Sequence, residues 1–572
     1  MVDGPDFTDE GAQSIERSLE AARPGTWTRL SGETLRGFEG IRPRAGWSLK
    51  VPAGWFESAQ VDRLFVLIDT EFPRSEPRIV APALELGDWP HVESAGVLCL
   101  KPTTWEAAPG DRVVGALNYA AKVLNLEEAE RNREFAREFV AYWGQLASSA
   151  AEASLVSLIL PRPPSREIAF ARAFRTNRIV LADDPAFLTR WLQNSGETQA
   201  TTVRRTWLVW LSEPWLPREF PARVADVLRA TGAGVLNAYL ETDQPLPVIF
   251  GAETETGNVL VGAYVPALPR KQFKKGFRAH SKISGATLAA LSAGHSVHRK
   301  RVERADPAWV HGRDHNPLLD LLLRKSVAII GCGALGGAIA RLLAQAGIPK
   351  FYLVDGDNLS MANTSRHVLG AGAVDYNKAK AVGELLQRDF PHISRVESFP
   401  VRFQRLDQVQ REQLGSSDLI LSAGVDWATD VALDRWRREL PKLPTHVCTW
   451  AEEFALVGHA VALLGEDSLV PGFSADGVPH TRLTDWPQGV KTTIVEAGCG
   501  NVFQPHGAVD LAYCVTLAAQ VALDVLSGEI AVSSRRTWLG DRKKVEQLGG
   551  LARPGFDVSF ARKDSPWPPG AR

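Results

Sequence analysis

The sequence predicts a multidomain α/β protein, and three observations support this prediction. The chain has 572 residues, which corresponds to about three or four domains of ordinary size. From about residue 318, strand-like and helix-like segments alternate, which is typical of a parallel sheet with helical crossovers. Before residue 150 short strand-like segments are followed by helical ones, and the run PRPPS at 161–165 then breaks both patterns. We therefore expect an N-terminal α+β domain at 1–150, a mixed α/β domain at 151–310 that bridges its neighbours, and a C-terminal α/β domain at 311–572.

Charge and cysteine content exclude several classes of protein. Lys and Arg together number 65 and Asp and Glu number 66, a net charge of -1, so no global attraction to nucleic acid or to an anionic membrane is expected. Five cysteines in this length exclude a disulfide scaffold. No CxxC pair occurs, so we expect no structural zinc. The acidic, polar N-terminus and the lack of an apolar stretch of about 18 residues favour a cytoplasmic protein that does not contact membranes.

Local patterns in the first two regions predict their elements. WSLKVPAGW and RLFVLIDTEFP are rich in apolar and β-branched residues and are bounded by Gly and Pro, which predicts strands. Apolar residues at helical spacing between 110 and 148 predict one long helix or two. In the middle region, TWLVWL (206–211) and NVLVGAYV (258–265) are typical of buried strands.

The C-terminal region shows a clear alternation of strands and helices. KSVAIIG, KFYLVDGD and DLILSAG (418–424) predict short buried strands. ALGGAIARLLAQAG predicts an amphipathic helix that ends at Gly347, and NKAKAVGELLQRDF predicts another that Pro391 ends. This order predicts parallel strands joined by right-handed crossovers.

A glycine-rich turn joins the first of these strands to its helix. Gly331, Gly333 and Gly336 form a GxGxxG motif, GCGALG. The first glycine allows the tight turn, the second lets backbone N–H groups approach a phosphate, and the third lets the helix pack closely on the strand. Asp355 closes the next strand, where a carboxylate can accept hydrogen bonds from ribose hydroxyls. This arrangement predicts a Rossmann-like nucleotide site.

Further charged and polar residues follow the second strand. Asn363, Arg366 and Lys378 lie within LVDGDNLSMANTSRHVLGAGAVDYNKAKA, and Asp426 follows the strand DLILSAG. Hydride transfer does not need two cations and an extra carboxylate beside the phosphates. When a carboxylate attacks the α-phosphate of ATP, charge builds on the phosphoryl oxygens and the departing pyrophosphate, where Arg and Lys can neutralise it and an Asp can hold Mg²⁺. The pattern therefore favours adenylate transfer.

Over roughly residues 311–530 these motifs resemble the ThiF/MoeB/E1-type activating enzymes, which adenylate the C-terminus of ubiquitin-like proteins. The matching signature is the glycine loop, Asp355-Gly-Asp357, Asn363-x-x-Arg366, Lys378 before an Ala, and Asp426. The resemblance implies ATP and Mg²⁺, with Asp355 on the ribose and Asp426 on the metal. It implies a nucleotide-binding set of Gly331, Gly333, Gly336, Asp355, Asp357, Asn363, Arg366 and Lys378, the last three on the phosphates.

The same resemblance gives candidate roles to two further residues, Lys380 and Arg313. Lys380 competes with Lys378 for the lysine role, and Lys378 is preferred because VDYNKA matches the VGxxKA of the family better. Arg313 lies upstream of the glycine loop, where the family often supplies an arginine across a dimer. The resemblance thus also implies a homodimer.

Three of the five cysteines are expected to be buried and inert, because they lie in the glycine loop, a strand-like run and an apolar helix: Cys332, Cys448 and Cys514. Cys499 differs. It lies between two glycines in EAGCGNVFQPHGAVDLA, just before a helix expected to begin near Pro505, whose dipole would favour a thiolate. A Pro/Gly-rich stretch at about 465–498 precedes it, as a crossover loop precedes the catalytic cysteine in activating enzymes. We therefore expect Cys499 to form a thioester, with a structural Gly-Cys-Gly turn as the alternative.

Cys99 has its own context, HVESAGVLCLKPTTW, preceded by FPRSEPRIVAP. Over about residues 15–148 this region resembles ubiquitin-conjugating (E2-type) enzymes, and the resemblance implies that Cys99 carries a thioester. Trp89-Pro90-His91-Val92 replaces the family's His-Pro-Asn, so the asparagine that stabilises the oxyanion is missing and His91 is expected to be structural. A buried strand cysteine is the alternative.

Both resemblances together imply one relay. A protein C-terminus is adenylated, Cys499 displaces AMP, the acyl group passes to Cys99, and a target lysine or other amine receives it. The architecture resembles bacterial fused conjugation proteins of CBASS antiphage operons. That resemblance implies as substrate the flexible C-terminus of a cGAS/DncV-like nucleotidyltransferase, or in related fusions a bacterial ubiquitin-like protein.

Three alternatives stay open. A sulfur-carrier adenylyltransferase with an N-terminal docking module would not need Cys99. A Rossmann oxidoreductase would bind NAD and would not exchange pyrophosphate into ATP. A non-catalytic scaffold would bind ATP without either cysteine carrying a protein.

Overall fold

The structure, a computed structural model, divides into two compact units. The described residues are 9–38, 40–52, 54–102, 107–147, 152–197, 202–268, 285–495 and 502–570. The first unit contains residues up to 155, 161–169 and 204–303, and the second contains 156–160, 170–203 and the chain from 304 onwards. The division of the chain into three domains at 150 and 310 stays a prediction.

The N-terminal region is α+β. Its helices are α1 (Asp9–Ala22), α2 (Gly32–Arg36), α3 (Pro109–Leu124), α4 (Glu128–Arg137) and α5 (Phe139–Gln145). Its strands are β1 (Trp27–Arg29), β2 (Ala45–Lys50), β3 (Arg63–Ile68) and β4 (Arg78–Val80).

The middle region contains helices and longer strands. The helices are α6 (Pro185–Asn194), α7 (Val224–Glu241) and α8 (Gly285–Ser292). The strands are β5 (Ser154–Ser157), β6 (Arg166–Ala173), β7 (Arg178–Ala182), β8 (Arg204–Trp210), β9 (Leu246–Thr254), β10 (Gly257–Val265), β11 (His298–Lys300) and β12 (Val302–Arg304).

The C-terminal region alternates strands and helices. The helices are α9 (Pro307–Val310), α10 (Leu319–Leu322), α11 (Ala334–Gln345), α12 (Lys378–Asp389), α13 (Gln408–Gly415), α14 (Trp427–Arg438), α15 (Ala508–Ser527) and α16 (Arg542–Gln547). The strands are β13 (Ser326–Ile330), β14 (Lys350–Val354), β15 (Arg395–Phe399), β16 (Leu419–Ala423), β17 (Thr445–Ala451), β18 (Val457–Leu463), β19 (Thr484–Asp485), β20 (Ile494–Val495), β21 (Val502–Phe503), β22 (Ser534–Leu539), β23 (Leu551–Ala552) and β24 (Ala561–Pro566).

In the first unit, β1 to β4 form an antiparallel sheet in chain order. Successive strand residues point to opposite faces, so Val66 and Ile68 of β3 join the main core while Leu67 lies in a smaller cluster on the other face. The main core also contains buried residues of α1 and α3, among them Ile15 and Val113. Both predicted strands in this region are confirmed, but the predicted one or two helices are three, because the helix ends at Leu124 and again at Arg137.

Helix α5 packs on the middle strands of the same unit. The indole Nε1 of Trp143 donates to the carbonyl oxygens of Gly262 at 3.0 Å and of Lys300 at 3.1 Å. Its ring stacks on Trp215, with centroids 6.2 Å apart, and contacts Phe250. The strands on which α5 rests are β10 and β11, which pair antiparallel, and β9 lies on the other side of β10.

The second unit is built on an eight-stranded sheet in the order β15-β14-β13-β16-β17-β18-β22-β24. The first five strands are parallel and the last three are antiparallel. Apolar residues of α11, α12 and α15 share one core with the sheet, while Leu433 of α14 belongs to a core with β13 and β14 residues. The predicted parallel strands are confirmed. The chain turns in opposite directions after β13 and β16, which opens a crevice at their carboxyl ends.

One helix in the described part of the chain, Ala508–Ser527, is long and apolar enough to cross a membrane. More than half of the relevant window, 56%, is buried inside the protein. The helix begins at Ala508 rather than near Pro505.

Candidate functional site

The glycine loop has the tight turn and the close packing that Gly331 and Gly336 were expected to provide. Gly331 has a positive φ of +88°, which only glycine adopts readily. A Cβ on Gly336 would lie 1.9 Å from the carbonyl oxygen of Gly331, so helix α11 and strand β13 approach too closely for any side chain there. A Cβ on Gly333, in contrast, would meet no atom within 4 Å. The open space therefore lies at the helix N-terminus, where free N–H groups attract anions.

Asp355 is fixed against this loop from two sides. Its carboxylate accepts hydrogen bonds from the backbone N–H of Cys332 at 2.7 Å and of Asp357 at 2.8 Å. Burial raises the pKa of the Asp355 carboxyl, while these N–H groups and the charge of Lys378 act in the opposite direction. The carboxylate is thus held in one orientation at the end of β14, next to the open space of the loop.

Lys378 stands at the first position of α12 and reaches the same side of the sheet. Its Nζ lies 3.3 Å from the Asp357 carboxylate. Asn377 caps the helix by accepting from the N–H of Lys380 at 3.1 Å, and its amide also donates to the carbonyl oxygens of Asp355 at 2.9 Å and Asp357 at 3.2 Å. Asn377, which was not singled out from the sequence, therefore joins the start of α12 to the Asp355-Gly-Asp357 segment.

Asp426 caps α14 at the end of β16. Its Oδ1 accepts from the N–H of Thr429 at 2.7 Å. A cavity of about 250 Å³ lies between these elements, lined by Gly331, Gly333, Asp355, Asp357, Lys378, Arg402, Phe403 and Asp426 among others. The structure thus brings the lysine, the carboxylates and two glycines of the sequence motif to one cavity. Arg402 and Phe403 were missed, because they follow β15 in a segment without a recognisable motif.

Arg366 and Asn363 lie beside this cavity rather than in its wall. The Arg366 guanidinium donates to the carbonyl oxygen of Ala362 at 2.8 Å and lines a neighbouring cavity of about 380 Å³ between α11 and α15. The Asn363 side chain accepts from the hydroxyl of Ser360 at 2.9 Å and so closes a short turn. Their assignment to the ATP phosphates stays a prediction.

The stretch expected to cross over a substrate tail is tied down by a buried carboxylate. Glu452, which follows β17, accepts hydrogen bonds from the backbone N–H groups of Leu483 and Thr484, both at 2.8 Å, and from His459 at 2.8 Å. Burial opposes ionisation, but these hydrogen bonds hold the pKa of Glu452 below its usual range. Phe473 of the same stretch stacks on Trp427, with ring centroids 4.8 Å apart. The loop therefore packs against Trp427, the residue that follows Asp426.

The described cysteines separate into one exposed and three buried thiols. Cys99 is exposed, whereas Cys332, Cys448 and Cys514 are buried. Burial raises the pKa of each buried thiol, that of Cys514 to about 12. The expectation that these three are buried is confirmed. Cys499 lies outside the described residues, and its role stays a prediction.

The surroundings of Cys99 raise the pKa of its thiol. Burial raises the pKa of its thiol, and the carboxylates of Glu93 and Glu138 raise it further. The interaction with Glu93 thus favours the protonated thiol. The charge of Arg78 acts in the opposite direction but does not outweigh these effects, so the surroundings favour the neutral thiol. The role of Cys99 as a thioester carrier stays a prediction.

A polar cluster from α4 and α5 surrounds the residues before Cys99. The His91 ring lies between two carboxylates: its Nε2 is 3.3 Å from a carboxylate oxygen of Glu134, and its Nδ1 is 3.7 Å from one of Glu138. The backbone N–H of His91 donates to the hydroxyl of Tyr142 at 2.5 Å, and the N–H of Cys99 donates to the carbonyl oxygen of His91 at 2.7 Å. The sequence did not point to Glu138 or Tyr142, since nothing in their local pattern distinguishes them from other helical residues.

Comparison with known families agrees with this division into two sites. Residues 313–443 match the model of the ThiF family, and residues 39–151 match the model of prokaryotic E2 family B. The chain joins an E2-like segment to a ThiF segment. The ThiF match contains the glycine loop, Asp355, Lys378 and Asp426, and the E2-like match contains Cys99.

Several similar proteins have names that refer to ubiquitin transfer or to activation of ubiquitin-like modifiers. The chain is similar to the ATP-dependent ubiquitin transferase-like protein Cap2 of Pseudomonas aeruginosa, 26% identical over 278 residues, which cover 45% of this chain and 45% of that protein. Cap2 of Enterobacter hormaechei is 37% identical over 102 residues, covering 18% of this chain and 17% of that protein. Ubiquitin-like modifier-activating enzyme 5 of Bombyx mori is 25% identical over 175 residues, covering 27% of this chain and 44% of that protein. The chain thus spans less than half the length of these relatives.

Among solved structures, PaaA aligns with 43% of this chain and 65% of its own, with 19% identity and a TM-score of 0.31. E. coli MccB with AMPCPP and MccA aligns with 44% of this chain and 65% of its own, with 16% identity and a TM-score of 0.29.

Proposed function

We propose that this protein activates the C-terminus of a protein substrate with ATP and transfers it, through two cysteines, to an amine. The observation that carries the proposal is the combination of a charged cavity on the ThiF glycine loop with an exposed cysteine, Cys99, in the E2-like segment. The cavity alone would also fit an adenylyltransferase that does not use Cys99. Together they supply the activating and the accepting groups of one reaction sequence.

The cavity suits ATP and Mg²⁺ by its shape and its donors. The open space at Gly333 leaves room for a phosphate against the N-terminus of α11. Asp355 would accept hydrogen bonds from the ribose hydroxyls, Lys378 would neutralise phosphate charge, and Asp426 would bind Mg²⁺. The metal would stabilise negative charge on the phosphates. Asn363 and Arg366, beside the cavity, would approach the phosphates when ATP is bound.

The first step forms an acyl adenylate. A carboxylate oxygen of the substrate attacks the α-phosphorus of ATP, a P–O bond to the β-phosphate breaks, and pyrophosphate leaves. The Cys499 thiolate then attacks the acyl carbon, the bond from that carbon to the adenylate oxygen breaks, and AMP leaves. Lys378 stabilises charge that develops on the phosphates, which is the usual way a fixed cation lowers such a barrier.

Two acyl transfers follow. The Cys99 sulfur attacks the thioester carbon on Cys499, whose sulfur leaves as a thiolate. An amine then attacks the acyl carbon on Cys99, a C–N bond forms, the C–S bond breaks, and Cys99 leaves as a thiolate. Glu93, whose carboxylate raises the pKa of the Cys99 thiol, would accept the proton that the attacking thiol loses.

The substrate class is inferred from the relatives. The similarity to Cap2 supports a bacterial conjugation protein of the CBASS type, whose substrate would be the flexible C-terminus of a cGAS/DncV-like nucleotidyltransferase. A bacterial ubiquitin-like protein is the other candidate. The ThiF segment would form a homodimer, as is usual in that family.

The test traps the thioesters. Cys99→Ala and Cys499→Ala variants are purified from cells that carry the neighbouring genes, run on non-reducing gels with ATP, and then treated with thiol. We expect Cys99→Ala to hold a partner on Cys499 in a thiol-sensitive adduct and Cys499→Ala to hold none. Mass spectrometry of the adduct then identifies the substrate.

Three other outcomes would contradict parts of the proposed reaction sequence. If the wild type and both variants form no thiol-sensitive adduct in the presence of partner and ATP, the two-cysteine sequence is wrong. If Cys99→Ala still completes the reaction, the N-terminal segment is a docking module and the protein is an adenylyltransferase of the sulfur-carrier type. A lack of ATP–pyrophosphate exchange with a bound partner would remove the adenylation step as well.

A further inference from the structure

Two hydrogen bonds connect Cys99 to the side chain of Tyr142 through the backbone of His91. The Cys99 N–H donates to the His91 carbonyl oxygen at 2.7 Å, and the His91 N–H donates to the Tyr142 hydroxyl at 2.5 Å. His91 has a φ of +59°, in the left-handed region that residues with a side chain rarely adopt. Such a conformation persists only where surrounding contacts hold it. Both polar groups of the His91 backbone are held in this way.

Tyr142 is well placed to act as a fixed support. It is only 3% exposed, and its ring meets that of Phe135 edge to face, with centroids 5.0 Å apart. Its hydroxyl accepts the His91 N–H at 2.5 Å. Burial of the ring and the contact with Phe135 therefore fix the position from which the hydroxyl meets the His91 backbone.

The neighbouring residue, Trp143, anchors the same helix on another side. The indole N–H of Trp143 is shared between the carbonyl oxygens of Gly262 and Lys300, on two paired middle strands. Tyr142 and Trp143 point to different sides of α5 because successive helical residues are rotated by about 100°. The middle strands thus determine where the Tyr142 hydroxyl stands relative to Cys99.

We propose that Tyr142 is the positioning residue of the Cys99 site. Its hydroxyl holds the His91 backbone, and His91 in turn holds the backbone of Cys99. This inference rests on the proposed transfer through Cys99. The middle strands, which carry no motif of their own, support the site through α5.

The step that this support affects is the discharge of the thioester. The amine nitrogen attacks the acyl carbon, a C–N bond forms, and the C–Sγ bond breaks. Cys99 leaves as a thiolate, and the proton lost by the nitrogen passes to Glu93 or to water. Small displacements of a reacting group slow such steps strongly. Loss of the Tyr142 hydroxyl should therefore slow discharge by about 10- to 100-fold.

The experiment uses the full chain with Cys499→Ala and a small-molecule probe, so that it needs neither ATP nor the natural substrate. Cys99 is acylated by exchange with the acetylglycyl thioester of 2-mercaptoethanesulfonate, and discharge to free L-lysine is followed by intact mass. Tyr142→Phe is compared with Tyr264→Phe, which removes another buried hydroxyl of the same unit, one that donates to the Ala153 carbonyl oxygen at 2.9 Å. Melting temperatures are measured for both variants.

We expect Tyr142→Phe to discharge at least about tenfold more slowly than the parent, at a melting temperature close to that of Tyr264→Phe, and Tyr264→Phe to discharge at the parent rate. Discharge of Tyr142→Phe at the parent rate would overturn the inference. Equal losses of rate in both variants would do so too, because the effect would then be one of general stability. If the parent itself discharges no faster than free thioester, the proposed transfer at Cys99 fails rather than the role of Tyr142.

Discussion

The thiol of Cys99 has two carboxylates near it and is therefore protonated to a higher pH than an ordinary cysteine. Burial raises its pKa first, and the charges of Glu93 and Glu138 raise it further. A thiolate is the attacking form, so an acidic surrounding makes the resting thiol less reactive. The same carboxylates can take up a proton when the thiol attacks. The site is thus suited to reaction with a bound partner more than to reaction with free electrophiles.

Glu93→Gln should make Cys99 more reactive in the free protein. Removing this charge lowers the pKa of the thiol, so a larger fraction is thiolate at a given pH. The rate of Cys99 alkylation by iodoacetamide should reach half its maximum at a lower pH than in the wild type. Peptide mass spectrometry measures this, with the exposed Glu57→Gln as control. An unchanged or opposite pH profile would show that Glu93 does not control the thiol.

Asp430 gives the second prediction at this scale. Burial raises the pKa of its carboxyl from 3.8 to about 7. The hydrogen bonds that it accepts from Ser422 and Cys448 lower the pKa but do not outweigh the burial. Between these two pH values the folded protein binds more protons than the unfolded chain, so stability falls as the pH rises.

Asp430→Asn, which cannot ionise, should remove this fall in stability. The free energy of unfolding at pH 8 should then exceed that of the wild type by about 2–4 kcal/mol, while the two agree near pH 4. Urea denaturation at pH 4, 6 and 8 checks this, with the exposed Asp476→Asn as control. A variant that is less stable than the wild type at pH 8 would contradict the assignment.

Two glycines of one loop should respond differently to the same added methyl group. In Gly336→Ala the Cβ would lie 1.9 Å from the carbonyl oxygen of Gly331, the residue that follows β13. Strand β13 and helix α11 must therefore separate. The cost should be at least about 3 kcal/mol of unfolding free energy. In Gly333→Ala the Cβ meets no atom, so stability should change by less than about 1 kcal/mol. Because that Cβ fills the space proposed for phosphate, ATP affinity should fall at least about tenfold.

Urea denaturation and calorimetric titration with ATP separate the two effects. If Gly333→Ala binds ATP as tightly as the wild type, the phosphates do not lie against the second glycine. If Gly336→Ala is as stable as the wild type, the close approach of α11 to β13 is not needed for folding.

The elements that the sequence predicted well are those defined by local pattern. β13, α11, β14 and α12 could be read from short apolar runs, a glycine motif and an amphipathic period, because each is determined by neighbouring residues. The surroundings of Cys99 could not be read in this way. His91 and Tyr142 lie 51 residues apart, and only the packing of α5 on the middle strands brings them together. The carboxylates at Cys99 were missed for a related reason, since Glu138 lies between α4 and α5, far from Cys99 in the sequence.

At the scale of the whole molecule, the joined segments predict how the reaction depends on concentration. If both cysteines are in one chain, the second thiol is present at a fixed effective concentration. With substrate and ATP saturating, the rate of Cys99 loading per enzyme should not change when the enzyme is diluted tenfold. Quenched-flow samples on non-reducing gels measure this rate. A rate that falls in proportion to dilution would mean that separate molecules exchange the acyl group.

The anchoring of Trp143 also limits how this protein can be rearranged in the laboratory or in evolution. A segment cut after residue 147 would keep Cys99 and its sheet but would lose the carbonyl groups of Gly262 and Lys300 that Trp143 meets. An aromatic side chain that is fully buried in the intact unit would then face water. The E2-like segment is therefore a poor candidate for transplantation as an autonomous module. Productive chimaeras should exchange the N-terminal segment and its supporting strands as one cassette.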